Sequence, residues 1–591
     1  MIPMDKKAMN AQGIYQADFI LVTGDAYIDH PSFGAAIIAR TLERFNYSVA
    51  VIAQPDISND DAFLHLGKPK YGFLVTAGNI DSMVNHYTVA KKYRKKDAYT
   101  PGGLSGKRPD RATIVYSKKL RLLFGNIPII IGGIEASLRR LSHYDYWDNT
   151  VRRSVLLDSG ADLLVYGMAE KTIIEIADAL ASGLAVDDLI YIRNTVWKTK
   201  DKKRMPHSAI KLPSYDEVLD DKLHYVRSFQ LQSQNSDAMT AKPLYETYKR
   251  HFVVQNEPTT PLTTFEMDQV YDLPFSRKPH PIYKEPIPAI EEVQFSLISQ
   301  RGCFGGCHFC ALSLHQGRAI QNRSKESLLS EAQKIISAPN FKGYIHDVGG
   351  PTANFYHQSC DHQTTHGVCK NKACIGTKHC NKLKVDHSDY LSILTELRQL
   401  DGVKKVFVRS GVRYDYLMLD QDKSFFNALV KHHISGQLKI APEHVDNTVL
   451  KAMNKPPFEQ YEAFVRTYNS LNQKHQKNQF LVPYLMSSHP GSTLTSAIAL
   501  AQYIKKTKQH PEQVQDFYPT PGTASTCMYY TGINPIDNQP IYVPRDAREK
   551  AMQRALIQFY LPKNHTLVKQ ALVKANRTDL IGHAPHCLIR P

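Results

Sequence analysis

Two tryptophans in 591 residues, and no unbroken apolar run of about 18, are the first absences in this chain. The missing run removes a membrane-spanning helix from the expected fold. The N-terminus also lacks the basic stretch and apolar core of a secretory leader. A cytoplasmic protein without a membrane partner is therefore expected. Cysteine is scarce and odd in number, nine in all, with seven crowded between Cys303 and Cys380. A disulfide framework belongs to small secreted domains, so this clustering points to metal ligation or thiol chemistry in a reducing compartment. Acid falls short of base, 56 Asp plus Glu against 73 Lys plus Arg, leaving a net charge of +17. That balance suits a polyanionic partner. The basic clusters at 91–96 and 198–204 carry no RNA-binding sequence pattern and read as solvated faces.

What is present is a repeating rhythm of apolar run, turn and helical stretch. Over the first 170 residues the runs are Phe19 to Val22, Val49 to Ile52, Phe73 to Thr76, Ile127 to Ile131 and Leu163 to Tyr166. Buried parallel strands read as continuous apolar runs, so residues 1–197 are expected to form a Rossmann-like α/β domain. Residues 198–287 lose the period and gather prolines, which predicts a partly helical connection. A second βα rhythm starts at 288, with runs at Val293 to Ile298, Gly343 to Asp347, Lys405 to Val408, Gln437 to Ala441, Phe480 to Met486 and Val514 to Phe517. Such units in succession suit a partial (β/α)6 TIM-type barrel over 288–540, with its site at the C-terminal strand ends. A Cys-rich insertion interrupts it at 350–385. The helical spacing of Met552, Ala555, Leu556 and Phe559 predicts a helical tail over 541–591 that docks by its apolar face.

The segment Ser299-Gln300-Arg301-Gly302-Cys303-Phe304-Gly305-Gly306-Cys307-His308-Phe309-Cys310 follows directly on the first run of the second series. A Cys-x3-Cys-x2-Cys loop brings three thiolates to one side of a tight turn. Three thiolates hold three corners of a [4Fe–4S] cube and leave one iron open. This pattern, with the aromatic Phe309 before the last cysteine, resembles the signature of the radical S-adenosylmethionine (SAM) superfamily. The resemblance implies that Cys303, Cys307 and Cys310 are the ligands. It also implies that the open iron chelates SAM, and that an electron from the cluster cleaves the sulfonium to a 5′-deoxyadenosyl radical.

It further implies SAM contacts at later strand ends: the backbone of Gly349 and Gly350, then Ser410, Lys439 and Glu443, alongside Phe309. Pro351 stands where the superfamily often has an acid, so no side-chain contact carries over there. The segments Asp25 to Gly34, Ile131 to Arg140, Ile440 to His444 and Phe517 to Pro521 resemble the YgiQ family of radical SAM proteins across nearly the whole chain. That family supplies no substrate, and no catalytic residue is assigned.

Cys360, Cys369, Cys374 and Cys380 form a second constellation, able to hold zinc or an auxiliary iron–sulfur cluster. The segment Asp29-His30-Pro31-Ser32-Phe33-Gly34 sits one residue out of step with the Asp-x-His-x-x-Gly loop that gives a histidine to cobalamin. The N-terminal domain is therefore expected to be cobalamin-domain-like in fold only, without cobalamin as a cofactor. The function expected is a radical SAM enzyme on an unidentified substrate, RNA modification being the first guess, served by a reductant such as flavodoxin or ferredoxin. The alternative is a non-catalytic nucleic-acid-binding metalloprotein with structural zinc.

Overall fold

Alternation along five short apolar strands builds the N-terminal core. These are β1 (Phe19–Thr23), β2 (Val49–Ala53), β3 (Gly72–Thr76), β4 (Ile129–Gly132) and β5 (Leu163–Val165). Phe19, Leu21, Val49, Val51, Leu74, Ile130, Leu163 and Val165 point to one face, where helices Gly34–Arg44 and Glu170–Ala181 cover them. Ile20, Val22, Ala50, Ile52, Phe73, Val75, Ile129, Ile131 and Leu164 point to the other, against helix Ala112–Phe124. Side chains on a strand alternate between faces, so a strand covered on both sides must be apolar at every position.

In the computed structural model, which describes residues 1–512 and 514–591, these strands are parallel in the order β5-β4-β3-β1-β2. This is a doubly wound sheet whose order reverses between β1 and β3, the place where such sheets take ligands. Asp25 and Asn79, on the loops after those two strands, are joined there by a 2.6 Å hydrogen bond from the Asn79 amide. Buried Arg108 forms the floor, ion-paired to Asp25 at 2.7 Å and to Asp97 at 3.2 Å.

The stretch expected as a connection adds strands to this sheet. Antiparallel β6 (Thr195–Thr199) continues it, followed by the hairpin of β8 (Leu244–Tyr248) and β9 (His251–Gln255), with β7 (Ile210–Lys211) at the edge. β8 buries Leu244, Glu246 and Tyr248 in alternation, a pattern its sequence hides because the central buried residue is a glutamate. Helix Lys325–Ile336 and the strand Ser296–Ile298 also group with this first unit, which comprises Met1–Gly302, Ala311–Lys342 and His362–Lys370. Buried ion pairs tie them in: Arg301 to Glu170, and Arg277 and Arg323 both to Glu331.

The second unit comprises Cys303–Cys310, Gly343–Asp361 and Asn371–Pro591. It carries the parallel βα repeats of the partial barrel. β10 (Tyr344–Ile345) is followed by β11 (Asp347–Gly349), and β10 pairs with β12 (Lys405–Val406). β13 (Gln437–Glu443) pairs with β14 (Phe480–Ser487), which pairs with β15 (Gln515–Asp516). Ile345, Val406, Leu438 and Ile440 are buried, while Tyr344, Lys405, Gln437, Lys439 and Phe480 alternate with them on an exposed face. The tail helices Ala547–Ile557 and His565–Lys574 close the unit by packing Met552, Ala555, Leu556, Val568 and Leu572 onto helix Leu494–Lys506. No helix among the described residues is long and apolar enough to cross a membrane.

Candidate functional site

The loop Cys303–Cys310 is pinned by its backbone and leaves its three thiols half-buried. Phe304 anchors it, stacked 3.7 Å on Phe355 with both rings fully buried. Asn454 Nδ2 donates to the Gly306 carbonyl at 2.9 Å, the His308 amide donates to Met453 O at 3.0 Å, and the Ser525 amide donates to His308 O at 3.0 Å. Gly305 must lack a side chain because a Cβ there would lie 2.6 Å from Arg413 Nη1 and 3.3 Å from Cys303 Sγ.

Polar groups face two of the sulfurs. Arg413 Nη1 donates to Cys307 Sγ at 3.5 Å and to Gly305 O at 3.3 Å. Thr352 Oγ1 lies 3.7 Å from Cys303 Sγ. Burial pushes the Cys303 thiol up, and the neighbouring Cys307 adds to it. A buried thiolate needs a cation, a donor or a metal beside it, and this loop offers the first two. The donor set fits a [4Fe–4S] cluster on three thiolates. Among the described residues no group of three His, Cys, Asp or Glu side chains is placed to hold a single metal ion; thiolates that each take a different iron of a cube do not converge on one point.

At the strand ends the expected residues separate into two groups. Asp347 accepts from the Arg409 amide at 2.7 Å, from the Ser410 amide at 3.0 Å and from the Ser410 hydroxyl. Ser410 in turn packs on Gly349, where a Cβ would come within 2.7 Å of its Oγ. Glu443 is buried at the end of β13 with a φ of 69°, and Lys455, also buried, lies 3.8 Å from its Oε1. Glu443 Oε2 has no hydrogen-bond partner among the described residues. Burial pushes this carboxyl up, against the pull of Lys455 and Arg413. A buried orphaned acceptor of this kind fits a ligand that brings its own donor.

Lys439 stands apart, exposed four residues before Glu443, roughly 13 Å along an extended strand. Half-buried Phe309 meets the ring of His489 edge-on at 6.1 Å. Sequence reasoning missed Arg413, Thr352 and Lys455. The signal for Arg413 was its pairing with Asp415 two residues on, inside an otherwise apolar segment.

In the second cysteine set, Ser359 Oγ lies 3.3 Å from Cys374 Sγ and 4.0 Å from Cys360 Sγ, and the Cys380 amide donates to Cys374 O at 2.9 Å. Cys369 belongs to the first unit, where Arg318 donates to its carbonyl at 3.0 Å. In the N-terminal domain Glu135 accepts from the Ser82 amide and hydroxyl and from the Thr113 amide, while Arg139 pairs with Asp81.

Residues 1–296 match the family described as Radical SAM N-terminal, 297–502 the Radical SAM superfamily, and 512–591 a domain of unknown function, DUF3362. A UPF0313 protein of Clostridium botulinum (strain ATCC 19397 / Type A) is 56% identical over 590 residues, covering 100% of this chain and 91% of its own length. This chain belongs to the UPF0313, or YgiQ, family of radical SAM proteins. A second UPF0313 protein, from Clostridium perfringens (strain 13 / Type A), is 53% identical over 591 residues and matches over 89% of its length. Membership makes this UPF0313 chain a radical SAM enzyme, of a superfamily that works with a [4Fe–4S] cluster, SAM and a reductant.

The fold is also that of the radical SAM methyltransferase TsrM from Kitasatospora setae, solved with cobalamin and a [4Fe–4S] cluster bound. That likeness has a TM-score of 0.50 at 12% identity, over 95% of this chain and 100% of the other. It corrects one expectation. The out-of-step Asp29–Gly34 loop had set cobalamin aside, yet a chain of this fold holds it. Here Asp29 is engaged by Arg40 at 2.9 and 2.5 Å, and His30 is buried, accepting from the Ser32 amide. A corrin already supplies four nitrogens to cobalt, so an absent histidine signature is no ground for excluding it.

Proposed function

We propose that Cys303, Cys307 and Cys310 hold the [4Fe–4S] cluster of this UPF0313 enzyme, and that it modifies an anionic substrate, with RNA the first candidate. The observation that carries the cluster assignment is the pinned loop, with three half-buried thiols on one short turn and a guanidinium donating to one of them. When bound, the cluster supplies the electron that cleaves SAM to methionine and a 5′-deoxyadenosyl radical.

The chain's own residues hold and shield. Glu443 offers its orphaned oxygen to a SAM hydroxyl or amine, Lys455 compensates its charge, and Ser410, fixed by Asp347, lines the strand end with Gly349 and Gly350. Phe309 adds an apolar wall. The support for an anionic substrate is the net charge of +17, together with exposed Lys405, Arg409 and Lys439 on strand ends and faces of the second unit. A flavodoxin or ferredoxin is the electron donor in this reading.

Anaerobic reconstitution tests the proposal. The parent protein binds about four irons per chain and yields 5′-deoxyadenosine with SAM and dithionite, whereas Cys303→Ala, Cys307→Ala and Cys310→Ala do neither. Retention of a full cluster in any of the three variants overturns the ligand assignment. Crosslinked RNA enriched on the Cys303→Ala protein supports the substrate class, and enrichment of a neutral metabolite instead refutes it.

The fold shared with TsrM favours a second reading for the N-terminal domain, a cobalamin above the loops after β1 and β3. Corrin absorbance retained through purification after hydroxocobalamin feeding supports it. Corrin-free protein with a full cluster refutes it.

A further inference from the structure

Arg413 is a cation in direct contact with the cysteine loop, and its geometry is over-determined. Its Nε and Nη2 are clamped by Asp415 at 2.8 and 2.7 Å, both side chains nearly fully buried. Its backbone is fixed by Asn354, which accepts from the Arg413 amide at 2.9 Å and donates to the Arg413 carbonyl at 3.2 Å. With two of the three guanidinium nitrogens committed to the carboxylate, Nη1 is left to reach Cys307 Sγ and Gly305 O.

A bidentate guanidinium–carboxylate pair is rigid, and burial strengthens its field on its neighbours. The pair is electrically lopsided as the loop meets it: the positive end touches the sulfur, and the negative end lies behind it. Buried Glu443 and Lys455 are a second pair of opposite charges close by.

We infer that Arg413 and Asp415 form a built-in potentiostat for the cluster: the guanidinium raises its reduction potential through Cys307, and the carboxylate limits that effect. The inference rests on the reading of Cys303, Cys307 and Cys310 as the ligands. Reduction adds one electron, and so one negative charge, to the cluster; a cation that donates to a ligand sulfur favours the reduced form, as net charge and hydrogen bonds to the sulfurs do in iron–sulfur proteins. Arg413 is thus a positioning and tuning residue that acts through Cys307.

The two partners must act in opposite directions, which a purely structural role does not produce. The experiment is a dye-mediated redox titration followed by EPR on the full-length reconstituted protein, with iron and sulfide counted in each sample. Arg413→Gln is expected to make the reduction equilibrium at least tenfold less favourable, a shift of about 59 mV or more to lower potential for one electron. Asp415→Asn keeps the guanidinium, removes its counter-charge and shifts the potential the other way. Arg413→Lys keeps the charge without the fork and falls between Gln and the parent.

Potentials that stay within a twofold equilibrium change in both Arg413→Gln and Asp415→Asn, at full iron content, overturn the inference while leaving the ligand assignment standing. Shifts of the same sign in the two variants also overturn it. A parent protein that binds no iron defeats the underlying reading instead. If Arg413→Gln fails to fold, the sign of the Asp415→Asn shift decides alone.

Discussion

Placing one methyl group on Gly305 tests how tightly the cysteine loop is wedged. Gly305 has no left-handed φ, so alanine suits its backbone and the effect comes from space alone. The new Cβ would stand 2.6 Å from Arg413 Nη1, 3.3 Å from Cys303 Sγ and 3.6 Å from the Phe355 ring. A flexible arginine tip would ordinarily swing away at little cost. Here Asp415 holds it through Nε and Nη2. Displacing the guanidinium from Gly305 O and Cys307 forfeits a charge-assisted hydrogen bond, about 1.5–3 kcal/mol, and overpacking adds about 1–3 kcal/mol. Gly305→Ala is therefore expected to destabilise the second unit by about 2.5–6 kcal/mol in all. At about 2–4 °C per kcal/mol for a unit of this size, its melting midpoint falls by roughly 5–20 °C. Anaerobic differential scanning calorimetry reads this directly, with iron content as a companion measure. Adding Asp415→Asn frees the arginine, so the double variant loses less than the sum of the singles. A Gly305→Ala protein that melts with the parent and keeps its full iron would refute the wedge.

Burial and nearby Arg139 push the pKa of His143 down from 6.5 to about 4, so the unfolded chain takes up its proton first as the solution is acidified. The N-terminal unit keeps this stability above pH 6.5 and loses it progressively towards pH 4, roughly 3 kcal/mol in total; urea midpoints of His143→Gln that fall as steeply with acid as the parent's would contradict this. Glu443→Gln is expected to weaken SAM binding about tenfold or more, the worth of a hydrogen bond to a charged acceptor; calorimetric affinity equal to the parent's would remove Glu443 from the SAM site. Truncating the buried Phe304 ring to alanine is expected to cost about 3–5 kcal/mol and to lower cluster loading, because the stack on Phe355 shapes the loop. Full iron loading and an unchanged melt in Phe304→Ala would show that the loop holds its form without that anchor.

Much of the fold was legible in one dimension because its signals are local. Strands β1 to β5 are covered on both faces, and a strand so covered has to be apolar throughout, which is what the runs at Phe19, Val49, Phe73, Ile127 and Leu163 display. The tail was readable for the same reason, since Met552, Ala555 and Leu556 keep helical spacing and bury together. The hairpin at 244–255 was harder, because its role as a continuation of the sheet depends on pairing with β6 some fifty residues earlier. Cobalamin was set aside on one loop, whereas a chain of the same fold holds it, and ligand binding by a doubly wound sheet depends on the whole sheet edge and not on one local signature.

The cysteine triplet needed no folding to be recognised: spacing within eight residues sets three sulfurs on one turn, and the chain's covalent geometry does the rest. What surrounds those sulfurs was decided only in three dimensions. Arg413 lies 106 positions from Cys307, and Lys455 twelve from Glu443 across a strand end and a helix, yet each contributes charge at close range. Hydrogen bonds and ion pairs act over a few ångströms of space regardless of sequence distance, so the electrostatic surroundings of the loop came from the fold, while the loop itself came from the residues.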